Sequence, residues 1–442
     1  MAKVMAMVLA GGEGRRLLTL THRRAKPVVL YGGQYRIIDF VLSNIINSGI
    51  RDVGILMQHE PDSMLKHLGF AWTMDRNYMR IDNLFPHTAR DTYLSPADAV
   101  FKRLDYLLVK NPDYVLIVPG DYVSLIDYHK LIQFHEEKQA DLTIAGTEVS
   151  PQQTHRFGMM SCNENHEVVD YIEKPKQEVP TTFASMGIYV FNLDVLVRRL
   201  VEESQLDQEM SFTYSMLPRM LGQDRVFAYP FKGYWRDVGT VDTYFEANME
   251  LISILPELNL YDVRHPIRSR VRFEPPAKIC EYGSVKNSII TQGCIIDGHV
   301  ERSIIFPHVR IDKGAEIYDS LIMPNNHIGE NTIIRRSILD TVSRAAHIEG
   351  KPNIGRNCVI GGTGSAEPNR DFPDHLYTSI TMTGMESEVP DNTTIGRNCI
   401  IYPDVKCVDF KGNTNIADGE SVRPSYQQCA PASTPAMRQF RR

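Results

Sequence analysis

The stretch V-L-A-G-G-E-G-R-R-L-L-T-L-T-H-R-R-A-K-P, residues 8–27, decides the fold of the N-terminal part of this chain. It continues an apolar run, Val4 to Leu9, that predicts a buried strand. Gly11, Gly12 and Gly14 come next, and glycines permit a sharp turn and a close backbone approach to a ligand. Exposed N–H groups in such a loop bind anions, and several arginines and a lysine follow. The stretch is therefore typical of a loop that binds a nucleotide phosphate.

Other loops share parts of this pattern. A dinucleotide-binding loop would have a further glycine at Leu17, and a Walker A loop would have Gly-Lys followed by Ser or Thr. The sequence has neither feature. A tight strand–helix turn with solvated arginines stays open on these residues alone, so the rest of the chain has to decide.

Composition excludes several classes of protein. The chain has 442 residues, 43% hydrophobic and 23% charged, which suits a globular protein of two or more domains. A net charge of −6 argues against general nucleic-acid binding, and no apolar run is long enough to span a membrane. The N-terminus lacks the anatomy of a signal peptide. Seven cysteines without a C-x-x-C pair indicate a reducing, cytoplasmic protein without a zinc site.

Strands and helices alternate through the N-terminal part. Further strands are predicted at Asp52–Met57, Tyr114–Pro119 and Leu142–Gly146, with a helix over Phe40–Ser48. This alternation predicts an α/β fold with a mostly parallel sheet covered on both faces. Ligands of such sheets bind beyond the carboxyl ends of the strands. The glycine loop and Asp121 both follow strands, so we expect them to face one cleft.

A second helix is predicted to open at Ser95-Pro96-Ala97-Asp98. Ser95 suits the N-cap, Pro96 the first helical position, and Asp98 the return bond of a capping box.

A repeat dominates the C-terminal part. Ser-aliphatic-aliphatic triplets begin at residues 288, 303, 320 and 337, with separations of 15, 17 and 17 (303−288, 320−303, 337−320). Short aliphatic strands about six residues apart are the signature of a parallel β-helix built on hexapeptides. We expect an α/β domain over 1–255, a linker over 256–284, a β-helix over 285–423 with an inserted loop at about 361–389, and a disordered tail over 424–442.

Several motifs resemble those of the glucose-1-phosphate adenylyltransferases, the ADP-glucose pyrophosphorylases. They are L-A-G-G-E-G-R-R-L (9–17), R-A-K-P (24–27), G-G-Q-Y-R-I-I-D-F (32–40), L-S-N-I-I-N-S-G-I (42–50), G-D (120–121), E-K-P (173–175), S-M-G-I-Y-V-F (185–191) and Y-W-R-D-V-G-T (234–240). The glycine loop and G-D are typical of sugar nucleotidyltransferases in general, and the blocks at 32–50 and 234–240 narrow the resemblance to this family.

The resemblance implies a fold and a reaction. The fold is a Rossmann-like nucleotidyltransferase domain with a mixed, mostly parallel sheet, followed by a left-handed parallel β-helix. The reaction is ATP plus glucose 1-phosphate giving ADP-glucose and pyrophosphate, for glycogen synthesis in the cytoplasm.

The resemblance also implies roles for single residues. Nucleotide contacts fall to Leu9, Ala10, Gly11, Gly12, Gly14 and, at the base, Gln58. The catalytic residues are Arg16, Lys26 and Asp121, of which Arg16 and Lys26 would offset charge on the α-phosphoryl group and the leaving pyrophosphate. Asp121 and Asp237 would hold Mg²⁺, which prefers carboxylate and phosphate oxygens. The sugar-phosphate pocket would contain Glu173, Lys174, Ser185, Gly187 and Trp235.

The resemblance further implies regulation and assembly. A phosphorylated sugar effector is expected at Arg23, Arg24, Arg36 and Arg335, because arginine binds phosphate in a bidentate fashion. A solvated basic face is an equal alternative for any one of them. The expected assembly is a homotetramer or a hetero-oligomer with a related subunit. No nucleic-acid or membrane partner is expected.

The chain departs from the family pattern at four places. Ser95-Pro96 replaces Gly-Thr, Tyr122 replaces a histidine, Ser211 replaces a glucose-binding aspartate, and Arg15 with Leu18-Thr19 replaces threonine and a more polar run. These changes are compatible with an active enzyme of shifted substrate preference or with a weakly active regulatory subunit. The retained metal carboxylates favour activity. A β-helix scaffold or binding protein would explain only the C-terminal part.

Overall fold

The computed structural model describes residues 2–72, 79–88, 91–270, 274–344, 350–362 and 364–428. The chain divides into two compact units whose boundaries do not follow chain order. The first unit contains Met1–Gly12, Ile38–Trp235 and Tyr261–Arg268, and the second contains Glu13–Ile37, Arg236–Leu260 and Ser269–Arg442. The domain boundaries drawn from the sequence stay a prediction, and residues 429–442 of the expected disordered tail lie outside the described residues.

The described helices and strands alternate up to residue 250, and short strands follow. The α-helices are α1 (Ile37–Asn47), α2 (Pro61–Ala71), α3 (Pro96–Phe101), α4 (Leu104–Lys110), α5 (Tyr128–Glu137), α6 (Leu193–Ser204), α7 (Leu217–Met220), α8 (Val241–Glu250) and α9 (Ser425–Gln428). The strands before the repeats are β1 (Val4–Ala10), β2 (Leu30–Tyr31), β3 (Tyr35–Arg36), β4 (Asp52–Met57), β5 (Arg80–Leu84), β6 (Tyr114–Pro119), β7 (Tyr122–Ser124), β8 (Leu142–Glu148), β9 (Gly158–Cys162), β10 (Val168–Glu173), β11 (Phe183–Asn192), β12 (Val226–Pro230) and β13 (Trp235–Asp237).

One nine-stranded mixed sheet organises the first unit, in the order β10-β9-β11-β6-β1-β4-β5, with β8 joining β11 to β12. Strand β1 lies between β4 and β6 and is parallel to both. Strand β11 runs antiparallel to β6, β8 and β9. The strands predicted from apolar runs are confirmed. Their residues are mostly apolar because they are buried on both faces of the sheet. The helix predicted over Phe40–Ser48 is α1.

The helix start at Ser95 is confirmed with one difference. The Ser95 hydroxyl accepts the N–H of Asp98, as an N-cap should. The Asp98 carboxylate, however, accepts the N–H of Leu94 at 2.8 Å rather than that of Ser95. The Asp98 carboxylate therefore holds Leu94, the residue before the N-cap Ser95, in place.

The repeats form a β-helix of three parallel sheets in the second unit. One face contains β14 (Lys278–Ile279), β17 (Ile295–Ile296), β20 (Arg310–Ile311) and β23 (His327–Ile328). The second contains β15 (Ser284–Lys286), β18 (His299–Glu301), β21 (Glu316–Tyr318), β24 (Ile333–Arg335), β26 (Val359–Ile360), β28 (Thr394–Ile395) and β30 (Asn415–Ile416). The third contains β16 (Ile289–Ile290), β19 (Ile304–Ile305), β22 (Leu321–Ile322), β25 (Ser337–Leu339), β27 (Thr381–Thr383), β29 (Ile400–Ile401) and β31 (Ser421–Val422). The arrangement is consistent with a left-handed β-helix.

A ladder of serines explains the repeat. The hydroxyl of Ser288 accepts the N–H of Ser303, Ser303 accepts from Ser320, and Ser320 accepts from Ser337, at 3.0–3.1 Å. Each of the last three is buried. The residue before each serine turns the corner with a positive φ, 45°, 44° and 42° at Arg302, Asp319 and Arg336. Serine suits this corner because its short hydroxyl satisfies a buried backbone N–H.

The segment expected to be a loop, about 361–389, contains one strand of the β-helix. Strand β27 pairs with β25 and β29, and only Met382 in it is apolar. Its threonines are buried, and the Thr381 hydroxyl donates to the carbonyl of Gly396. The prediction missed this strand because it relied on pairs of aliphatic residues.

Two further features concern the helices and the cysteines in the described part of the chain. No helix there is long and apolar enough to cross a membrane. The cysteines described there are free thiols.

Candidate active site

Three predicted nucleotide-binding segments meet at one edge of the nine-stranded sheet. The glycine loop follows β1, Gln58 follows β4, and Gly120-Asp121 follows β6. The N–H of Gly120 donates to the carbonyl of Leu9 at 2.9 Å. A Cβ built on Gly11 would lie 3.7 Å from the Cβ of Gln58. The carboxyl ends of three neighbouring parallel strands therefore form the edge at which ligands of such sheets bind.

Gln58 is held by the backbone of Tyr93. Its side-chain oxygen accepts the N–H of Tyr93, and its Nε2 donates to the Tyr93 carbonyl at 3.4 Å. A glutamine amide has one further lone pair and one further hydrogen, which are the groups that a contact with a base would use. Its role at the base stays a prediction.

A β-bulge presents Ser185 and Gly187. The pairing of β11 with β8 shifts register between Ser185 and Ile188, and Gly187 has a φ of 71°. The N–H of Gly187 donates to the Ser185 hydroxyl at 3.2 Å. A Cβ on Gly187 would lie 3.3 Å from Cγ of Pro119, the residue before Gly120-Asp121. Glycine is needed there for both its backbone angle and this close approach.

Glu173, Lys174, Phe157 and Trp235 form a second group in the first unit, which we call the Glu173 cluster. The N–H of Lys174 donates to the Phe157 carbonyl at 3.0 Å, and the Phe157 and Trp235 rings meet edge to face at 5.3 Å. The Lys174 ammonium lies 3.5 Å from Oε1 of Glu173. The lysine side chain is 58% exposed and the glutamate side chain 11%. The cluster combines a shielded carboxylate, an accessible cation and an aromatic wall, which suits a polar ligand with an anionic group.

Arg16, Lys26 and Asp237 form a third group in the second unit, around Gly239. A Cβ built on Gly239 would lie 2.8 Å from Asp237 Oδ1, 3.0 Å from Arg16 Nη2 and 3.3 Å from Lys26 Nζ. Lys26 is only 6% exposed, and a buried ammonium needs nearby negative charge. The Asp237 carboxylate oxygen and the Lys26 ammonium lie beside the same point, so Asp237 is a negative charge close to this lysine. We call these residues the Gly239 cluster.

The glycine loop folds back onto Lys26. Gly14 has a φ of 67°, and a Cβ there would lie 3.0 Å from the Cβ of Lys26. The Thr21 hydroxyl donates to the carbonyl of Gly14 at 2.9 Å. Leu18, one of the departures from the family pattern, has a φ of 53° and a ψ of −121° inside this turn. These constraints hold the lysine backbone close to the loop.

Asp121 belongs to the first unit and Asp237 to the second. Both carry the hard oxygen ligands that suit Mg²⁺, which protein sites of this kind bind through one or two carboxylates and substrate phosphates. Within the described residues, no three Asp, Glu, His or Cys side chains gather as a metal cage. The assignment of these two aspartates to one ion stays a prediction.

Two departures from the family pattern, at Ser95 and Ser211, are connected through the neighbouring residue Met210. The Ser95 hydroxyl donates to the carbonyl of Met210 at 2.5 Å. The neighbouring Ser211 caps the turn Phe212–Met216, where its hydroxyl accepts the N–H of Tyr214 at 3.1 Å. The changes at residues 95 and 211 are therefore linked through one short segment.

The departure at Tyr122 concerns the core. Tyr122 is 3% exposed, and its hydroxyl is 2.9 Å from that of Tyr128. Burial raises the pKa of both phenols well above the usual value for tyrosine. Both hydroxyls therefore stay protonated. Tyr122 packs in the core, next to Asp121 in the sequence.

Three of the predicted effector arginines have protein partners. Arg24 forms an ion pair with Asp340 at 2.5 Å, and both side chains are buried. Arg23 forms an exposed pair with Asp404, and Arg36 donates to the carbonyl of Val28.

The fourth arginine, Arg335, lines an open pocket of about 460 Å³ on the β-helix. The pocket is also lined by Asp319, Arg336, Gly361, Gly362, Thr378, Ser379 and Arg397. Arg336 donates to the Thr378 carbonyl, and Arg397 to the Gly362 carbonyl. Three arginines at one concave surface suit an anionic ligand. Sequence reasoning missed Arg397, although I-G-R-N-C occurs at both 354–358 and 395–399.

Comparison with known proteins identifies a matching family for the N-terminal part of the chain and another for the C-terminal part. A family model described as nucleotidyl transferase matches residues 5–253, and one described as GlmU-like, C-terminal hexapeptide matches residues 275–360. The chain is 40% identical over 428 residues to a glucose-1-phosphate adenylyltransferase of Acetivibrio thermocellus, covering 95% of this chain and 97% of the relative. It is 40% identical over 432 residues to that of Thermomicrobium roseum, covering 96% and 98%. It is 42% identical over 344 residues to that of Bacillus thuringiensis, covering 76% and 91%.

Proposed function

The chain belongs to the glucose-1-phosphate adenylyltransferase family, and from this we propose that it transfers the adenylyl group of ATP to glucose 1-phosphate. The products are ADP-glucose and pyrophosphate. The observation that carries the proposal in this chain is the Gly239 cluster, in which two cations and a carboxylate surround a glycine. Phosphoryl-type transfer depends on positioning and charge neutralisation rather than on covalent help, and this cluster offers both.

The proposed reaction is a single in-line displacement. A phosphate oxygen of glucose 1-phosphate attacks the α-phosphorus of ATP, the bond from that phosphorus to the β-phosphate oxygen breaks, and pyrophosphate leaves. Arg16 and Lys26 would offset the negative charge that grows on the transferring group and the pyrophosphate. Asp121 and Asp237 would hold Mg²⁺, which when bound neutralises phosphate charge. Glu173 would accept sugar hydroxyls, and Lys174 would pair with the sugar phosphate.

A direct assay tests the proposal. The purified full chain, ATP, glucose 1-phosphate and Mg²⁺ should release pyrophosphate and form ADP-glucose in equal amounts, and chelation of the metal should stop both. Release with another sugar 1-phosphate or nucleoside triphosphate alone would indicate a changed substrate preference. No release with any donor would favour the regulatory-subunit alternative, because the catalytic motifs would then be idle.

Assembly and cellular role extend the same proposal. Related chains bear the adenylyltransferase name, and the product suits α-glucan synthesis in the cytoplasm. We propose a homotetramer, or a hetero-oligomer with a related subunit, since symmetric oligomers are the norm. Sedimentation as a monomer at micromolar concentration would contradict this assembly.

Ser211 offers a test of sugar recognition. In Ser211→Asp the side chain can still cap the turn, because aspartate is an equally good N-cap. A charge-assisted hydrogen bond to a sugar hydroxyl contributes about 1.5–3 kcal/mol, so KM for glucose 1-phosphate should fall roughly tenfold to a hundredfold. KM for ATP should not change. Steady-state kinetics in each substrate provide the measurement.

Ser211→Asn is the matched control, since it keeps the cap and the size without the charge. If Ser211→Asp and Ser211→Asn have the same KM for the sugar phosphate, residue 211 does not meet the sugar.

The arginine pocket offers a test of regulation. We propose that Arg335, with Arg336 and Arg397, binds a phosphorylated sugar effector, while Arg24 serves a buried ion pair. Arg397→Gln should raise the effector concentration for half-maximal effect about tenfold to a hundredfold, through the loss of a charge-assisted contact. The measurement is the reaction rate against a panel of glycolytic sugar phosphates.

Arg356, the arginine of the other I-G-R-N-C motif, provides the control, because it is exposed and does not line the pocket. A response to the effector that is equally weakened in Arg356→Gln and Arg397→Gln would argue against a specific pocket.

A further inference from the structure

Tyr171 contacts the predicted sugar-binding glutamate directly. It lies on β10, is 7% exposed, and its hydroxyl donates to Oε2 of Glu173 at 2.9 Å. The two residues are two positions apart on one strand, so their side chains share a face of the sheet. The bond therefore joins neighbours on the face that carries the Glu173 cluster.

The bulge on β11 lies near the same tyrosine. Burial raises the pKa of the Tyr171 and Tyr189 phenols, and the nearby Ser185 hydroxyl lowers it by a smaller amount. Ser185 also accepts the N–H of Gly187. Tyr171 is therefore hydrogen-bonded to Glu173 and lies near Ser185. The sugar-binding roles of Glu173 and Ser185 were predicted independently of this tyrosine.

The phenol fits only because residue 158 is glycine. Gly158 on β9 pairs with Glu173 on β10. A Cβ built on Gly158 would lie 1.9 Å from the Tyr171 hydroxyl oxygen and 2.8 Å from Glu173 Oε2. Both distances are far below van der Waals contact. The backbone of β9 therefore provides the space in which the hydroxyl and the carboxylate meet.

The direction of the hydrogen bond follows from burial. Burial, Tyr189 and the charge of Glu173 raise the pKa of the Tyr171 phenol, so it keeps its proton over the whole working range of pH. The phenol is then the donor and Oε2 the acceptor. The other carboxylate oxygen, Oε1, is the one that lies 3.5 Å from the accessible Lys174 ammonium.

We propose that Tyr171 is a positioning residue for the sugar phosphate, which fixes one carboxylate oxygen of Glu173 so that the other accepts from sugar hydroxyls beside Lys174. This inference rests on the proposed function, in which Glu173 binds the sugar. A merely structural tyrosine would fill the same volume through its ring and would have no need of the hydroxyl. Restricting the carboxylate to one rotamer lowers the entropy lost when the sugar binds.

The test is Tyr171→Phe, which removes the hydroxyl and keeps the ring. KM for glucose 1-phosphate should rise about threefold to tenfold, because the variant loses the one hydrogen bond that orients the Glu173 carboxylate. The kcat and the KM for ATP should stay unchanged. The matched control is Tyr106→Phe on α4, whose hydroxyl makes the same kind of bond to Asp82 at 2.6 Å. That variant should leave both KM values unchanged.

A double-mutant cycle separates positioning from packing. If Tyr171 acts through Glu173, Tyr171→Phe should have no further effect on KM in a Glu173→Ala background. Equal effects in both backgrounds, or an unchanged KM in Tyr171→Phe, would overturn the inference. Gly158→Ala, which displaces the phenol without removing it, should raise the same KM and gives a second reading if Tyr171→Phe folds poorly. Failure of the wild-type chain to form ADP-glucose would instead overturn the proposed function.

Discussion

Asp237→Asn is expected to lower kcat about 10²–10³-fold, the order of loss that follows removal of one preorganised electrostatic contact at an active site. Asparagine keeps the shape of the side chain and removes the negative charge next to Arg16 and Lys26. The proposed Mg²⁺ would lose a carboxylate ligand, and Lys26 would lose the counter-charge that its burial requires. Steady-state release of pyrophosphate under saturating substrates is the measurement.

Glu246→Gln is the matched control for this variant. It removes one carboxylate from an exposed position of α8, the helix that follows Asp237, and should leave kcat unchanged. Gly239→Ala extends the test, because a Cβ there would push apart Asp237, Arg16 and Lys26 without removing any of them. If Asp237→Asn and Glu246→Gln have the same kcat, Asp237 is not a ligand of the metal and the Gly239 cluster does not take part in the reaction.

The second large effect is on stability. Arg24→Met leaves the fully buried Asp340 carboxylate without its cation, and breaking a buried ion pair in this way costs about 3–5 kcal/mol. The midpoint of thermal unfolding of the second unit should fall by roughly 10 °C. Circular dichroism against temperature measures the change, and the comparison is made between midpoints because a chain of this size need not unfold in one step.

The adjacent arginine provides the control. Arg23 makes an exposed pair with Asp404, so Arg23→Met should cost at most about 1 kcal/mol. The double variant Arg24→Met with Asp340→Leu should recover much of the lost stability, because an apolar pair avoids the buried charge. Equal midpoints for Arg23→Met and Arg24→Met would show that the ion pair at Asp340 contributes little.

The sequence was sufficient for the parts of the fold that repeat or alternate locally. The triplets at 288, 303, 320 and 337 predicted the β-helix, because each serine contacts the next serine one turn away. The apolar runs predicted the central strands, since residues buried on both faces of a sheet leave no polar alternation. The strand ends then indicated which edge carries the predicted nucleotide site.

Contacts between distant residues were beyond sequence reasoning. Arg24 and Asp340 are 316 residues apart, and nothing near either residue marks it as buried. The resemblance implied an effector role for Arg24, and that role stays a prediction, while the ion pair with Asp340 could not be read from the sequence. The space for the bond from Tyr171 to Glu173 depends on the order of strands in the sheet and on the glycine at 158. Such links follow from three-dimensional packing and leave no periodic signal.

The serine ladder also determines where this chain can gain or lose residues. From Ser303 onward, each corner of the ladder is set by one left-handed residue and one buried hydroxyl, and the turns between successive triplets already differ in length, 15 against 17 residues. Extra residues placed at a corner leave the strand register intact, as the long segment between β25 and β27 does. Deleting one residue inside a strand would instead turn its core side chains outward. Insertions and deletions among relatives should therefore occur at the corners, and the number of residues in each strand should not vary.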